Sequence, residues 1–268
     1  MLIIYCLSTI FDATGHTGPT ESVRFLLGAT LIPANLLTCG TKAATLQQRM
    51  TTTPDLRIQL VEIGRRLCER GFVAGSDGNL SARQSDGSIL ITPSGAAKGQ
   101  LAPDELVVVE PDGRLISGAG KASSEAAMHL FMYQTRPDLM ACVHSHAPHA
   151  TAFAAAGIPL PDNILPEVVL FVGRIPLTEY APPGTEAVPK SLAPFAADHE
   201  AFLLRNHGLL TVGRNLREAW HRHETVEHYA RILLLAGQLG STQSIPANDV
   251  RRLEEMRRRL SATPTESS

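Results

Sequence analysis

The chain has 268 residues, 44% of them hydrophobic and 19% charged, with a formal net charge of −2. That is an ordinary globular composition with enough apolar residues for one large core, and its near-neutral balance gives nucleic acid or an anionic membrane no electrostatic hold. Cys6, Cys39, Cys68 and Cys142 are scattered without a CxxC pair, which argues against a disulfide framework or a Cys-rich zinc finger and points to reduced thiols in a cytoplasmic protein.

Residues 1–49 read apart from the rest. The run 1–11 is apolar but has no basic flank and is too short to span a bilayer, and Gly, Thr and Pro interrupt 15–45 without a sustained period. Met50-Thr51-Thr52-Thr53-Pro54 reads as the natural start of a protein, with a capping Thr and a Pro ahead of a helix. The expectation is an N-terminal extension over 1–49, disordered or translated upstream of a true start, and one domain over 50–268.

From 55 to 70, Leu56, Leu60, Ile63 and Leu67 recur at helical spacing, and Gly71 closes the helix. The run 73–83 is a glycine-rich loop entering a strand. Further strands are expected at 88–92, 106–110 and 114–116, the last two joined by the tight turn Pro111-Asp112-Gly113. A helix over 124–134 opens on Ser124, and strand 140–144 leads into a small-residue helix over 147–156. A short strand at 174–178 and a helix at 187–197 follow, then strands 201–205 and 209–212 around a turn at His207. The longest helix, 216–239, would bury Leu216, Ala219, Val226, Ala230 and Leu233, and a second helix covers 248–260. Tight turns between strands, with helices interspersed, favour an α/β fold whose mixed, mostly antiparallel sheet is covered on both faces.

Val143-His144-Ser145-His146 carries the strongest chemical signal. Side chains at i and i+2 of a strand share a face, so both imidazoles can reach one point. That spacing suits two of the three protein ligands of a catalytic zinc. His207 stands in like context, where Leu203-Leu204-Arg205-Asn206 runs into a glycine turn. A histidine that merely caps a strand end with a hydrogen bond is the plainer account, and it serves one such residue better than three. Ser123, Ser124 and Glu125 precede a helix, where hydroxyls cap and a carboxylate meets the dipole. The same amides and hydroxyls also form an anion site, and Gly78-Asn79 and Ser94-Gly95 offer that chemistry from glycine turns. Taken singly, each of the three loops is an ordinary turn.

In that order, Gly78-Asn79-Leu80-Ser81, Thr92-Pro93-Ser94-Gly95, Ser123-Ser124-Glu125, His144-Ser145-His146 and Asn206-His207-Gly208 resemble the motifs of the class II aldolase/adducin family, over about residues 56–240. The resemblance implies a three-layer α/β/α sandwich and a homotetramer with active sites at its subunit interfaces. It implies one Zn2+ per chain, or another divalent cation, held by His144, His146 and His207. Glu125 would bind the metal at rest and act as the catalytic acid/base, while Gly78, Asn79, Ser94, Gly95, Ser123 and Ser124 grip a substrate phosphate.

The implied reaction is cleavage of a phosphorylated ketose, of the L-fuculose 1-phosphate kind, to dihydroxyacetone phosphate and an aldehyde through a metal-stabilised enediolate. Sister activities on the scaffold are methylthioribulose 1-phosphate dehydration, sugar-acid phosphate decarboxylation and pentulose 5-phosphate 4-epimerisation. The epimerases commonly carry Asp where Glu125 stands. A non-catalytic adducin-like interaction module is the alternative of another class. The aldolases carry a catalytic tyrosine in the segment that reads 163–169 here, where none is present, and Glu167 is the candidate proton donor in its place. No tyrosine follows Tyr229 to match the one in the family's C-terminal tail. His149 is a further candidate, whereas His221, His223 and His228 on the long helix are expected at solvent or an interface.

Overall fold

A computed structural model describes residues 55–262, so the expectations for 1–49 and for Met50 lie outside the described residues. In chain order its elements are α1 (Leu56–Glu69), β1 (Asn79–Arg83), β2 (Ile89–Ile91), β3 (Val107–Val109), β4 (Leu115–Ser117), α2 (Ala126–Thr135), β5 (Ala141–Ser145), α3 (Pro148–Ala156), α4 (Pro166–Phe171), α5 (Ala187–Leu192), β6 (Ala201–Leu204), β7 (Gly208–Gly213), α6 (Leu216–Leu239) and α7 (Ala247–Ala262). The strands form one sheet in the order β4-β3-β2-β1-β5-β7-β6, and every neighbouring pair is antiparallel.

Alternation of side chains along these strands decides the layers. Leu80 and Ala82 of β1, Ala141 and Val143 of β5, and Leu209 of β7 enter one core, with residues of α1, α3, α4 and α6. Ile89 and Ile91 of β2, Cys142 of β5, and Leu210 and Val212 of β7 enter the other, with α2 and α5. The result is a three-layer α/β/α sandwich. Leu60 and Leu67 of α1 are fully buried, and truncating either to Ala would cost about 2–5 kcal/mol.

Helix starts follow their caps. Asp55 accepts from the Arg57 amide at 2.9 Å and opens α1. Asn215 accepts from the Glu218 amide at 2.8 Å and opens α6. The buried face of α6 holds the five expected residues and also Trp220, His223, Glu227 and Tyr229.

Three expectations need correction. The strand at 174–178 reduces to a single parallel bridge, Leu177 to Leu203, at the β6 edge; Pro176 accepts there but has no N–H to extend a ladder. The helix at 187–197 stops at Leu192, and the short α4, with Pro166 in its first turn, had no periodic signal. His223 is fully buried rather than exposed, because Ser145 Oγ and Thr211 Oγ1 occupy its two ring nitrogens. No helix among the described residues is long and apolar enough to cross a membrane.

Candidate active site

Three strand ends bring the imidazoles together. Antiparallel register places His144 of β5 beside Asn79 of β1, on the α2 face of the sheet. His146 follows one residue beyond β5, and His207 occupies the β6–β7 turn, where Asn206 adopts φ 55°. Gly208 permits the approach: a Cβ there would lie 2.5 Å from the Ser145 carbonyl and 3.0 and 3.1 Å from the rings of His146 and His144. One ring nitrogen from each of His144, His146 and His207 lies within 4.8 Å of the others.

Glu125 completes the cluster. It is the N-cap of α2, but its side chain makes no cap bond and turns instead to the imidazoles. Its Oε1 lies 3.0 Å from His207 Nε2 and its Oε2 lies 3.3 Å from His144 Nε2. His144 Nδ1 donates to the Leu209 carbonyl at 3.0 Å, which leaves the Nε2 lone pair facing the carboxylate. Both His144 Nε2 and Glu125 Oε1 are buried without a hydrogen-bond partner. Two buried acceptors left unpaired in one cluster are costly unless a cation satisfies them. The donor set of three imidazoles and a carboxylate fits zinc, and also manganese, cobalt or iron.

The electrostatics agree with that fit. Burial alone would raise the Glu125 pKa, yet the His144 and His207 imidazoles set against it outweigh burial and hold the carboxyl below its ordinary value. A cation held by the same groups would act in the same direction. Burial, then the neighbouring His144 and His207, lowers the pKa of His146. Asp77 Oδ2 lies 3.3 Å from His146 Nδ1, which orients the ring and leaves Nε2 available.

Glu125, His146 and His207 line a cavity of about 440 Å³, and so do Gly78, Asn79, Ser94, Gly95, Ser123 and Ser124. A bridge between Pro93 and Ala122 joins two of these loops. Gly78, at φ 71°, lets the first loop pass the His144 carbonyl, where a Cβ would sit 2.7 Å away. The Ser123 hydroxyl accepts from the Glu125 amide at 3.2 Å and closes a turn just ahead of α2. The Asn79 amide is already engaged: Nδ2 donates to Glu125 Oε2 at 2.7 Å, and Oδ1 meets His129 Nε2 at 2.6 Å.

Sequence reasoning missed Lys98, Asp77 and His129. Lys98 is 3% exposed, lines the cavity, and donates from Nζ to the carbonyls of Ser76 at 2.6 Å and Ala96 at 2.7 Å. It thereby ties two glycine loops together, and burial lowers its pKa. Among the lining residues it is the sole Lys or Arg. A single lysine after Ala96-Ala97 carries no sequence signal.

The chain by itself does not bring Glu167 or His149 into this cavity. Glu167 is exposed on α4. His149 Nδ1 lies 2.6 Å from Glu227 Oε1, and that carboxylate also accepts from the amides of His149 and Ala150 at 3.0 and 2.9 Å. Glu227 therefore caps α3 from a neighbouring helix, since Ala147 at its N-cap offers no side chain to do so.

Residues 58–234 match the family described as Class II Aldolase and Adducin N-terminal domain. The chain belongs to this family. Among class II aldolase relatives, the 3-oxo-tetronate 4-phosphate decarboxylase of Escherichia coli strain K12 is 37% identical, over 68% of this chain and 87% of its own length. The L-fuculose phosphate aldolase of Methanococcus maripaludis strain C5 is 32% identical, over 67% and 96%. The crystal structure of YgbL from Klebsiella pneumoniae matches with a TM-score of 0.69 at 37% identity, covering 74% of this chain and 97% of that one. An L-fuculose 1-phosphate aldolase structure has a TM-score of 0.69 at 32% identity, covering 76% and 96%. Class II aldolase relatives thus include both decarboxylases and aldolases of phosphorylated substrates.

Proposed function

We propose that this protein is a metal-dependent carbon–carbon lyase that decarboxylates a 3-oxo-tetronate 4-phosphate. One observation supports the lyase reading above all: Glu125 stands against three convergent imidazoles and lines one cavity with His146, His207 and the glycine and serine loops. Bound there, a divalent cation, for which zinc is our assignment, would supply Lewis-acid stabilisation of negative charge developing on the substrate's carbonyl oxygen.

Two reactions named among the relatives converge chemically. A 1-phosphorylated ketose that loses its aldehyde half leaves a three-carbon enediolate phosphate. A 3-oxo-tetronate 4-phosphate that loses carbon dioxide leaves the same one. Retro-aldol cleavage needs a group to take the hydroxyl proton as the bond breaks, and this cavity has no tyrosine among its lining residues. Departing carbon dioxide needs no such base, because the substrate carboxylate is already ionised at neutral pH. Identity also favours decarboxylation: those relatives reach 37%, against 34% for the fuculose phosphate aldolases.

The chain's own groups then divide the work. Loop amides, the Ser94 and Ser124 hydroxyls and the start of α2 hold the phosphate, with the Lys98 ammonium supplying fixed positive charge. Anchoring this remote group orients the reacting bond. Glu125 delivers one solvent-derived proton to C2 after carbon dioxide has left, giving dihydroxyacetone phosphate. We extend the family's homotetramer and a cytoplasmic setting to this chain; Glu167, exposed on α4, would reach a cavity as a neighbouring subunit's contribution.

Retro-aldol cleavage of a phosphorylated ketose is the second reading, favoured by the likeness to L-fuculose 1-phosphate aldolase. Zinc-loaded protein incubated with 3-oxo-tetronate 4-phosphate and, separately, L-fuculose 1-phosphate tests both. Carbon dioxide release from the first is expected to dominate. Aldehyde release from the second as the faster reaction would displace decarboxylation, and release of neither product would defeat both.

A further inference from the structure

A continuous line of buried hydrogen bonds runs away from the cavity behind Glu125. Asn79 Nδ2 donates to Glu125 Oε2 at 2.7 Å, and Asn79 Oδ1 meets His129 Nε2 at 2.6 Å. Beyond the ring, His129 Nδ1 lies 2.7 Å from Ser81 Oγ, which lies 2.7 Å from the Tyr133 hydroxyl. The four residues behind the carboxylate are at most 3% exposed.

Local geometry explains the line. Glu125, His129 and Tyr133 recur every four residues along α2 and its cap, so they form one stripe. Asn79 and Ser81 are two residues apart on β1 and share the face that α2 covers. A helical stripe of three therefore meets a strand face of two, and four hydrogen bonds join them.

Donor and acceptor chemistry fixes the direction of every link. An ionised carboxylate can only accept, so Asn79 turns its NH2 to Glu125 and its carbonyl to His129. That carbonyl also only accepts, so His129 carries its proton on Nε2. Burial holds the His129 pKa down at about 3, so the ring is neutral at neutral pH and accepts at Nδ1 from the Ser81 hydroxyl. Ser81 accepts in turn from Tyr133. Reversal of any one bond would leave two donors or two acceptors opposed in a dry interior.

We propose that His129 is a positioning residue for the reaction: acting through Asn79, it fixes the orientation of the Glu125 carboxylate, while Ser81 and Tyr133 fix its own tautomer. This rests on Glu125 as the group that carries the proton. A carboxylate that must face both a cation and a substrate carbon tolerates little rotation, and misplacement by about 1 Å costs on the order of 10²-fold in rate. It also assigns the Asn79 amide to the carboxylate rather than to the phosphate.

Zinc-loaded His129→Leu and His129→Gln variants test the proposal, because the glutamine amide can take over the donor role of Nε2–H. The leucine variant is expected to lose on the order of 10²-fold in kcat with KM unchanged, and the glutamine variant to recover most of that loss. In an Asn79→Leu background, His129→Leu should add little further loss, as expected for residues acting in series. Should His129→Leu fail to fold, Tyr133→Phe removes one hydroxyl only and is expected to lower kcat several-fold at constant KM.

Nitrogen-15 NMR of histidine-labelled protein gives a readout that needs no turnover: His129 should be neutral and protonated on Nε2. Protonation on Nδ1, or variants that raise KM and leave kcat intact, would overturn the proposal. If the wild type released neither carbon dioxide nor aldehyde while His129 showed the expected tautomer, the reaction assignment would fall and the hydrogen-bonded line would stand.

Discussion

His129 and His223 lie on opposite faces of one sheet, and by every local measure they match. Each is fully buried, each has both ring nitrogens occupied, and burial pushes each pKa down to about 3. What differs is where their hydrogen bonds end. The Thr211 hydroxyl donates to the Ala219 carbonyl at 2.9 Å, so it accepts from His223 Nδ1 at 3.0 Å, and Nε2 then accepts from Ser145. That line closes within α6 and fastens the helix to β5 and β7. The line through His129 ends on a carboxylate beside three convergent imidazoles. Burial and a depressed pKa therefore do not mark a functional histidine; the group at the end of its hydrogen bonds does.

The comparison is broken most completely by removing the chemistry at one end. His146→Ala takes away one of three imidazoles and should strip the metal, abolishing turnover, with metal analysis and a product assay as the joint check. Glu125→Gln comes next. It should retain metal but lose about 10²–10⁴-fold in kcat, the range that a positioned acid–base group supplies. Turnover within tenfold of the wild type would remove Glu125 from its role and leave the two buried histidines equivalent.

Legibility in the sequence followed the same division. His144 and His146 showed themselves because a strand's period of two puts them on one face, and His207 because it shared their strand-end context. The layer order was readable because tight turns and alternating strands restrict the topology to few choices. His129 was not readable. It sits in Ala126-Ala127-Met128-His129-Leu130-Phe131-Met132-Tyr133, where no contrast of polar and apolar faces singles out a position. The four-residue spacing of Glu125, His129 and Tyr133 was present, but it gains meaning only when α2 is known to cover Asn79 and Ser81. His223 failed for the opposite reason, since its neighbours His221 and Arg222 and the nearby His228 suggested a solvated face. Pro176 ended a strand that hydrophobicity alone had suggested.

His223→Leu sharpens the contrast by costing stability instead of rate. It leaves the Ser145 hydroxyl unpaired in the interior, so a loss of about 1–3 kcal/mol is expected, seen as a lower Tm with kcat within about twofold of the wild type. Its pH dependence carries a sign. The unfolded ring titrates near 6.5 and the folded one near 3, so the unfolded state binds the extra proton as pH falls. The wild type should lose stability from about pH 6.5 down toward 3, and the leucine variant should lose less over the same window. Equal losses would show that His223 is not the group responsible.

The smallest effect is expected in the phosphate loops. Ser124 lines the cavity just ahead of α2, and among the described residues its hydroxyl makes no hydrogen bond to Glu125 or the imidazoles. On the proposed reading, its removal takes away one of several donors to the substrate phosphate. Ser124→Ala should therefore raise KM for the phosphorylated substrate several-fold, with kcat and metal content unchanged. Inorganic phosphate should inhibit the variant correspondingly less. The expected pattern is the mirror image of the His129 series, in which kcat falls at constant KM. A fall in kcat for Ser124→Ala would mean that the loop and the carboxylate move together, and the division between holding the substrate and orienting the proton carrier would have to be abandoned.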